Sequence, residues 1–306
     1  MIGAGAVGAS CADAVAQKNI AKEVVMVDIK EGVAEGKALD LWESAPVMGY
    51  NTRVKGSTND YSKTAGSDVI VITSGVPRKP GMSRDDLISI NAKIVKTVTE
   101  QAIAASPDAI IIVVANPLDV MTYQAYKAAG IDSRKVMGMA GILDTARYRA
   151  FLAEELGLSP IDFQALLLGG HGDTMVPLPR YTTVAGIPVT DLIDADKLEA
   201  IVNRTKKGGG EIVKLLGTSA WYAPGYAAAQ MVEAILLDQD RIFPVCSWLT
   251  GEYGINDLYL GVPVRLGKGG IKEIIELNLN DDEMKLLHES AAAVRGVKEV
   301  LEGMAL

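Results

Sequence analysis

The chain has 306 residues, which exceeds a typical single domain and predicts two domains that share an interface. Its 49% hydrophobic and 22% charged residues are those of an ordinary globular protein. A net charge of −8 argues against a nucleic-acid partner, because that affinity depends mainly on cationic contacts to phosphate. The two cysteines, Cys11 and Cys246, match no metal-ligand spacing, so we expect no metal site from them.

The sequence gives no sign of a targeting or membrane segment. A glycine-rich motif begins at the third residue, which leaves no room for a signal before it. The longest unbroken apolar run, 109–115, is far too short to cross a bilayer. We therefore expect a cytoplasmic protein with no membrane partner.

A helical pattern rich in small residues opens with the GxGxxG motif Gly3-Ala4-Gly5-Ala6-Val7-Gly8. In a dinucleotide site the first glycine makes the turn, the second lets the backbone approach a pyrophosphate, and the third allows tight packing. The N-terminus of the following helix then favours the anion. The predicted strand 23–27 ends in Asp28, where an acidic residue binds ribose hydroxyls and repels the extra phosphate of NADP. The motif predicts NAD as cofactor, although Asp28 could instead be a cap or turn residue.

The strand that should precede these glycines is nearly absent. A central strand needs about five residues, and only Met1 and Ile2 stand before Gly3. Two explanations stay open: the first few residues have been lost, or the first strand is severely shortened.

Further strands follow at the intervals of a Rossmann-type doubly wound parallel sheet. The β-branched runs 68–73 and 109–114 are typical of parallel strands buried on both faces. Between them, 85–106 carries apolar residues at helical spacing. This alternation predicts an α/β fold that binds its ligand at the carboxyl ends of the strands.

Polar segments follow two of these strands. The loop 74–84 carries Arg78 and Arg84 among its prolines and glycines, and it is either a hinged lid or a solvated basic turn. After the next strand, Asn116 could hydrogen-bond a ligand or simply end the strand. The Asn116–Pro117 bond is a candidate cis peptide.

His171 lies in a glycine-lined turn, directly after the apolar run 165–168, which predicts a buried strand. Its unperturbed pKa lies nearest neutral pH, so it suits proton transfer; the alternative is a loop histidine packed on a turn. Asp144 and Arg147, three residues apart, share one face of a helix that begins near Gly141. They form either an ion pair within that helix or a working pair, in which Asp144 orients His171 and Arg147 binds a carboxylate.

The second half predicts an α+β domain. We expect a hairpin of 181–184 and 187–189, helices over 195–216 and 226–237, and extended segments at 243–249, 258–264 and 274–277. A last helix is expected to run to Glu302 from Asp281 as its N-cap, with His288 as a surface or packing residue. Gly208-Gly209-Gly210 indicates a kink or a close packing point. The domains are predicted as 1–139 (dinucleotide-binding) and 140–306 (substrate).

These motifs together resemble the lactate/malate dehydrogenase family over essentially the whole chain. The matching segments are GAGAVG, the strand ending in Asp28, GVPRKPGMSRDDL, IIVVANPLDVMTY, GMAGILDTARYR and LGGHGDTMVP. Within the family, the chain is most similar to the malate dehydrogenases built on the lactate-dehydrogenase-like plan. The resemblance implies NAD as cofactor, interconversion of the C4 dicarboxylates malate and oxaloacetate, and a homo-oligomer, with a tetramer favoured and a dimer possible.

The resemblance also implies roles for individual residues. His171 would be the proton acceptor in malate oxidation, with Asp144 as its partner. Arg147 would bind the carboxylate next to the reacting carbon. On the lid, Arg84 would polarise the carbonyl oxygen, and Arg78 would meet the distal carboxylate, at the position where the family's lactate enzymes resemble one another in carrying Gln.

Asn116 would touch both substrate and cofactor. The NAD site would be lined by Gly3, Ala4, Gly5, Ala6, Val7, Gly8, Asp28, Asn91, Val114, Ala115 and Asn116. Three alternatives remain: a lactate or other 2-hydroxy-acid dehydrogenase, another NAD-using enzyme such as an epimerase or glycosidase, and a non-catalytic NAD-binding module. The last would have no reason to carry His171, Asp144 and three arginines together.

Overall fold

The computed structural model describes residues 1–77 and 83–304, with Arg84 described by its backbone alone. In the first half, strands and helices alternate along the chain as the sequence predicts, except that β2 is followed by β3 with only a short 3₁₀ turn between them. The elements are α1 (Ala6–Gln17), β1 (Glu23–Asp28), α2 (Val33–Met48), β2 (Arg53–Thr58), β3 (Val69–Ile72), α3 (Arg84–Ala105), β4 (Ile110–Val113), α4 (Leu118–Ala129) and β5 (Val136–Gly138).

The strands of this half run parallel. β1 pairs with β2, β3 with β4, and β4 with β5. Between β1 and β3 lies Ile2, which makes parallel bridges to Val27 on one side and to Ile72 on the other. The Ile2 N–H donates to the Val71 carbonyl at 2.8 Å, and its own carbonyl accepts the Thr73 N–H at 2.8 Å. In the place of the strand expected before the glycines, the structure has only the bridges of Ile2. The glycine motif therefore starts between β1 and β3.

The continuous apolar runs are explained by helices on both faces of the sheet. On β4, Ile110 and Ile112 belong to one buried cluster, and Ile111 and Val113 belong to another. The first cluster contains residues of α1 and α2, and the second contains residues of α3 and α4. Because alternate side chains of a strand point to opposite faces, a strand buried on both faces must be apolar at every position.

The second half continues the sheet with antiparallel strands. Its elements are α5 (Ala140–Leu156), β6 (Phe163–Gln164), β7 (Leu167–Leu168), β8 (Val176–Pro177), β9 (Thr183–Val184), β10 (Ile187–Pro188), α6 (Ala195–Leu216), α7 (Tyr222–Leu236), β11 (Arg241–Thr250), β12 (Asn256–Gly267), β13 (Gly270–Ile274) and α8 (Asp281–Glu302). β11 joins β5 through Cys246 opposite Gly138, and β12 and β13 follow it. The Rossmann-type sheet and the α+β second half are therefore confirmed.

Several sequence predictions are confirmed closely. The helix predicted over 195–216 is α6, and the hairpin predicted around Ala185-Gly186 is β9 and β10. The Asn116–Pro117 peptide is cis. Gly208 is a close packing point, since a Cβ there would lie 2.2 Å from Cδ of Arg147.

Other predictions are wrong in their bounds. The extended segment predicted at 274–277 begins at the last residue of β13, which pairs with β12 over 270–274 directly after a turn at Gly269. The N-cap of α8 is Asn280 and not Asp281, because the Asn280 side chain accepts the Glu283 N–H in a capping box. α7 begins four residues earlier than predicted, with Pro224 tolerated in its first turn. The strand predicted over 165–168 is confined to β7.

No helix within the described ranges is long and apolar enough to span a membrane.

Candidate active site

The glycine motif forms a turn whose three glycines are used differently. Gly3 has a φ of +102°, in the region that favours glycine. A Cβ on Gly8 would lie 2.0 Å from the Gly3 carbonyl oxygen, so only glycine lets α1 start this close to the turn. A Cβ on Gly5 would meet no atom within 4 Å, and Gly5 is the N-cap of α1, which has no side-chain cap. Open space beside an uncapped helix N-terminus fits the pyrophosphate of a dinucleotide.

Asp28, at the end of β1, holds the turn through the Ala4 peptide. Its Oδ2 accepts the Ala4 N–H at 2.8 Å, and its Oδ1 accepts the Lys30 N–H at 2.9 Å. The Lys37 ammonium donates to the Ala4 carbonyl at 2.8 Å from α2. Asp28 is therefore a turn residue and an anchor of the glycine loop. Each carboxylate oxygen keeps a further lone pair, which fits the ribose contact predicted from the sequence.

Asn91 joins two loops at the carboxyl edge of the sheet. Its side chain is 1% exposed, and Oδ1 accepts the Val76 N–H at 2.8 Å. Its Nδ2 donates to the Val76 carbonyl at 3.2 Å and to the Asn116 carbonyl at 2.6 Å. Asn91 thereby fixes both the start of the loop 74–84 and the exposed Asn116 loop after β4, where Val114 and Ala115 are buried. Sequence reasoning placed Asn91 at the cofactor edge but missed this bridging role.

Three consecutive backbone N–H groups anchor the loop that carries His171. The N–H groups of 169–171 donate to the Gly261 carbonyl on β12, the Ser290 hydroxyl on α8 and the Asp119 carboxylate on α4, at 2.8, 2.8 and 3.0 Å. These three contacts fix the backbone of the loop and therefore the position from which the His171 side chain extends.

The imidazole itself is held by Asp144. Nδ1 of His171 lies 2.8 Å from Oδ2 of Asp144, with 18% of the His171 side chain and 3% of the Asp144 side chain exposed. An Nδ1–H donated to the carboxylate leaves Nε2 as the lone-pair nitrogen of the neutral ring. Burial alone lowers the pKa of His171, but Asp144 and then Asp119 raise it while Arg147 opposes them, and the pKa ends above its ordinary value.

Arg147 lies against the other oxygen of Asp144. Its Nη1 is 3.4 Å from Oδ1 of Asp144, and its side chain is 11% exposed. Within the described part of the chain this is the guanidinium's one ion pair, which leaves most of its N–H groups for a ligand carboxylate. Asp144 therefore does both things that the sequence left as alternatives: it pairs with Arg147 along α5 and it holds His171.

The two arginines of the loop 74–84 are not placed. Arg78 lies outside the described residues, and so does the side chain of Arg84. Sequence reasoning missed Asp119, a buried carboxylate on His171, as well as Lys37 under the glycine loop. The only signal for Asp119 was an acidic residue just after the cis proline, in a segment that reads as apolar core. No group of His, Cys, Asp and Glu among residues 1–77 and 83–304 could hold a metal ion.

A Rossmann-type sheet with an open glycine turn, and a histidine held by a carboxylate beside a buried arginine, define a dehydrogenase that uses a nicotinamide dinucleotide. Comparison with known proteins gives the family of this dehydrogenase. Residues 1–138 match the family model for the lactate/malate dehydrogenase NAD binding domain, and 142–303 match that for the lactate/malate dehydrogenase alpha/beta C-terminal domain. The chain belongs to the lactate/malate dehydrogenase family.

Relatives and solved structures agree with this assignment. The chain is 66% identical to a malate dehydrogenase from Cytophaga hutchinsonii, over 99% of this chain and 97% of the relative. The structure of malate dehydrogenase from Salinibacter ruber superposes with a TM-score of 0.95 at 59% identity, covering 98% of this chain and 96% of that one. A lactate dehydrogenase from Cryptosporidium parvum, complexed with lactic acid and NAD, gives the same TM-score at 38% identity, covering 99% and 97%. The fold is thus shared by both enzyme types, and the higher identities are to malate dehydrogenases.

Proposed function

We propose that this chain catalyses the reversible oxidation of malate to oxaloacetate with NAD. The observation that carries the proposal is the cluster on α5, where Asp144 contacts His171 at 2.8 Å and Arg147 at 3.4 Å. A base and a carboxylate-binding cation held by one residue suit a substrate whose hydroxyl lies next to a carboxylate. The 66% identity to a malate dehydrogenase supports malate as that substrate.

The cofactor half of the site is proposed within 1–139 and the substrate half within 140–306. The open space at Gly5 and the uncapped start of α1 would take the pyrophosphate, and Asp28 would take the adenine ribose. When bound, NAD supplies the acceptor for the hydride. The protein's contribution is position, charge and the movement of a proton.

The proton would move at Nε2 of His171. In malate oxidation the hydroxyl must lose its proton as the hydride leaves, and the neutral ring accepts that proton. The Asp144 carboxylate on Nδ1 then stabilises the imidazolium that results. In the reverse direction the same imidazolium returns the proton to the carbonyl oxygen.

Three arginines would divide the substrate between them. Arg147 would bind the carboxylate next to the reacting carbon, because its planar fork matches a carboxylate and its side chain is already held by Asp144. The family pattern gives the carbonyl oxygen to Arg84 and the distal carboxylate to Arg78, both on the lid. Asn116, on the loop fixed by Asn91, would contact substrate and cofactor together.

We also propose a cytoplasmic homotetramer, with a dimer as the alternative, acting in the tricarboxylic acid cycle. Both cysteines are buried free thiols, which fits a reducing compartment. The oligomeric state follows from the family resemblance alone.

The test is turnover followed by the absorbance of NADH. The purified chain is given NAD with malate, and separately with lactate and with other 2-hydroxy acids. We expect reduction of NAD with malate well above that with lactate. Preference for lactate would assign the chain to the other branch of the family, and NAD binding without turnover of any hydroxy acid would contradict the proposal.

A further inference from the structure

Asp119 is a buried carboxylate that no step of the reaction yet uses. We propose that it is a positioning residue for His171, which fixes the backbone of the base and adds a second negative charge that favours the protonated ring. This inference rests on the proposed role of His171 as the base. Its test therefore needs a measurement that does not depend on malate turnover.

The carboxylate is surrounded by donors. Asp119 is 7% exposed, Oδ2 accepts the His171 N–H at 3.0 Å, and Oδ1 faces the Cys246 thiol at 3.3 Å. Hydrogen bonds donated to both oxygens favour the charged form of the carboxyl group. Asp119 is also in the first turn of α4, where the helix N-terminus stabilises a negative charge.

The neighbouring anchor shows that holding the loop does not need a charge. The N–H of Gly170, one residue before the base, donates to the neutral hydroxyl of Ser290 at 2.8 Å. Burying a carboxylate costs more free energy than burying a hydroxyl. The charge of Asp119 therefore requires another contribution, and the neighbouring group that would change charge during the proposed reaction is His171.

The charged groups around His171 decide the direction of the effect. On α5, Asp144 contacts the ring of His171 and Arg147 contacts Asp144. On α4, Asp119 accepts the His171 N–H, and Cys246 of β11 contacts Asp119. Burial, and then the Asp119 charge, raise the pKa of Cys246 well above its usual value, so the thiol stays a neutral donor. Burial raises the pKa of Asp119 above its ordinary value, and His171 and the donors offset only part of that rise. Both carboxylates raise the pKa of His171, so removing one charge must lower it.

The deciding variant is Asp119→Asn, which keeps an acceptor oxygen for the His171 N–H but removes the charge. Ser290→Ala is the matched control, because it removes an anchor of the same loop without changing a charge. We expect the pH midpoint of malate oxidation to shift to lower pH in Asp119→Asn and to stay in place in Ser290→Ala. An unchanged midpoint in a folded Asp119→Asn protein would overturn the proposal, and Asp119→Ser serves as the uncharged variant if Asn does not fold.

A second measurement separates this inference from the proposed function. The chain has two histidines, so NMR titration of the ring signals reports His171 directly once His171→Asn has assigned it. The His171 titration should move to lower pH in Asp119→Asn, whether or not malate is the substrate. A loop-anchoring role alone would lower kcat in Asp119→Leu with partial rescue by Asn, but would leave both titrations unmoved.

Discussion

A Cβ atom on Gly208 would lie 2.2 Å from Cδ of Arg147. α6 therefore passes so close to α5 that the stem of the arginine occupies the place of a side chain. The backbone of α6 at Gly208 contacts the stem of Arg147, and Asp144 contacts its guanidinium. These two contacts restrict the conformations of the side chain. Arg147 is held in place before any substrate arrives, which reduces the entropy lost on binding.

Gly208→Ala should displace Arg147 and weaken malate binding. Losing one charge-assisted contact costs about 1.5–3 kcal/mol, so KM should rise ~10-fold or more. The control is Gly209→Ala, one residue along the same helix, where a Cβ would meet no atom within 4 Å. That variant should keep its KM and gain about 0.5–1 kcal/mol of stability from helix propensity. Equal KM values for the two variants would contradict a role for the close approach of Gly208 in positioning Arg147 for the substrate.

His171→Asn should lower kcat by ~10²–10⁴-fold, because the reaction loses its general base. NAD affinity should be retained, since the glycine loop is untouched. The matched control is His288→Asn. His288 lies on α8, outside the site, and its Nε2 is 3.0 Å from the Tyr253 carbonyl oxygen. Its replacement should leave kcat near normal. Near-normal turnover in His171→Asn would make His171 a packing residue.

The pair of Asp144 and His171 should also make stability depend on pH. The pKa of His171 is raised in the folded chain, whereas an unfolded histidine titrates near pH 6.5. The stability from this charged pair is therefore complete below about pH 6.5 and is lost as pH rises through the folded pKa. The measurement is the difference in free energy of unfolding between the unmodified chain and His171→Asn as a function of pH. A difference that grows as pH rises would contradict the assignment.

Cofactor choice should depend on the charge of Asp28. Asp28→Asn keeps an acceptor for the Ala4 N–H but removes the repulsion of a 2′-phosphate, so the preference for NAD over NADP should narrow. Asp28→Ser removes the charge as well, and its shorter side chain also loosens the glycine loop. Asp28→Ser should therefore narrow the preference for NAD over NADP and also weaken the binding of both cofactors. Equal kcat/KM for NAD and NADP in the unmodified chain would remove Asp28 as the discriminating residue.

Substrate choice is predicted to depend on Arg78. Oxaloacetate and pyruvate differ by one carboxylate, and an arginine left unpaired in a closed site is costly, so the lid should reject pyruvate by penalty as well as attraction. Such a missing partner can separate substrates by ~10⁴-fold. Arg78→Gln should lower kcat/KM for oxaloacetate and raise it for pyruvate, with NAD affinity little changed. Lys79→Gln, which removes the neighbouring lid cation, is the control, and the same ratio in both variants would leave Arg78 without a role in selection.

The strongest patterns predicted the fold from the sequence. Burial of one or two faces leaves a regular pattern of apolar residues within the segment itself. This pattern is present in the strands β3 and β4 and in the long helices α6 and α8. Short strands such as β5, β7 and β13 are fixed by their partners across the sheet, and nothing within the segments marks their ends. The N-cap of α8 was misplaced because Asn280 and Asp281 are both good caps, and only the contact with Glu283 selects between them.

The site was predictable to the extent that its residues share a motif. Asp144, Arg147 and His171 could be named because their types and spacing suit proton transfer and carboxylate binding. The alternative between an ion pair and a working pair could not be settled, since Asp144 has two oxygens and uses both. Asp119 and Lys37 were missed because their roles consist of reaching the backbone of a distant segment, a property that no local pattern encodes.

The three anchors of the His171 loop have a consequence for how the molecule acquires activity. The acceptors of the three N–H groups are distant in sequence: the separation is 52 residues for Asp119 and 120 for Ser290, with Gly261 in between. Asp119 lies in the first half of the chain. Contacts at such separations are the slowest to form, because long loops must close first. Because Ser290 lies on α8, the last helix, the His171 loop has all three anchors only after that helix has docked. The proposed base thus depends on contacts from both halves of the chain.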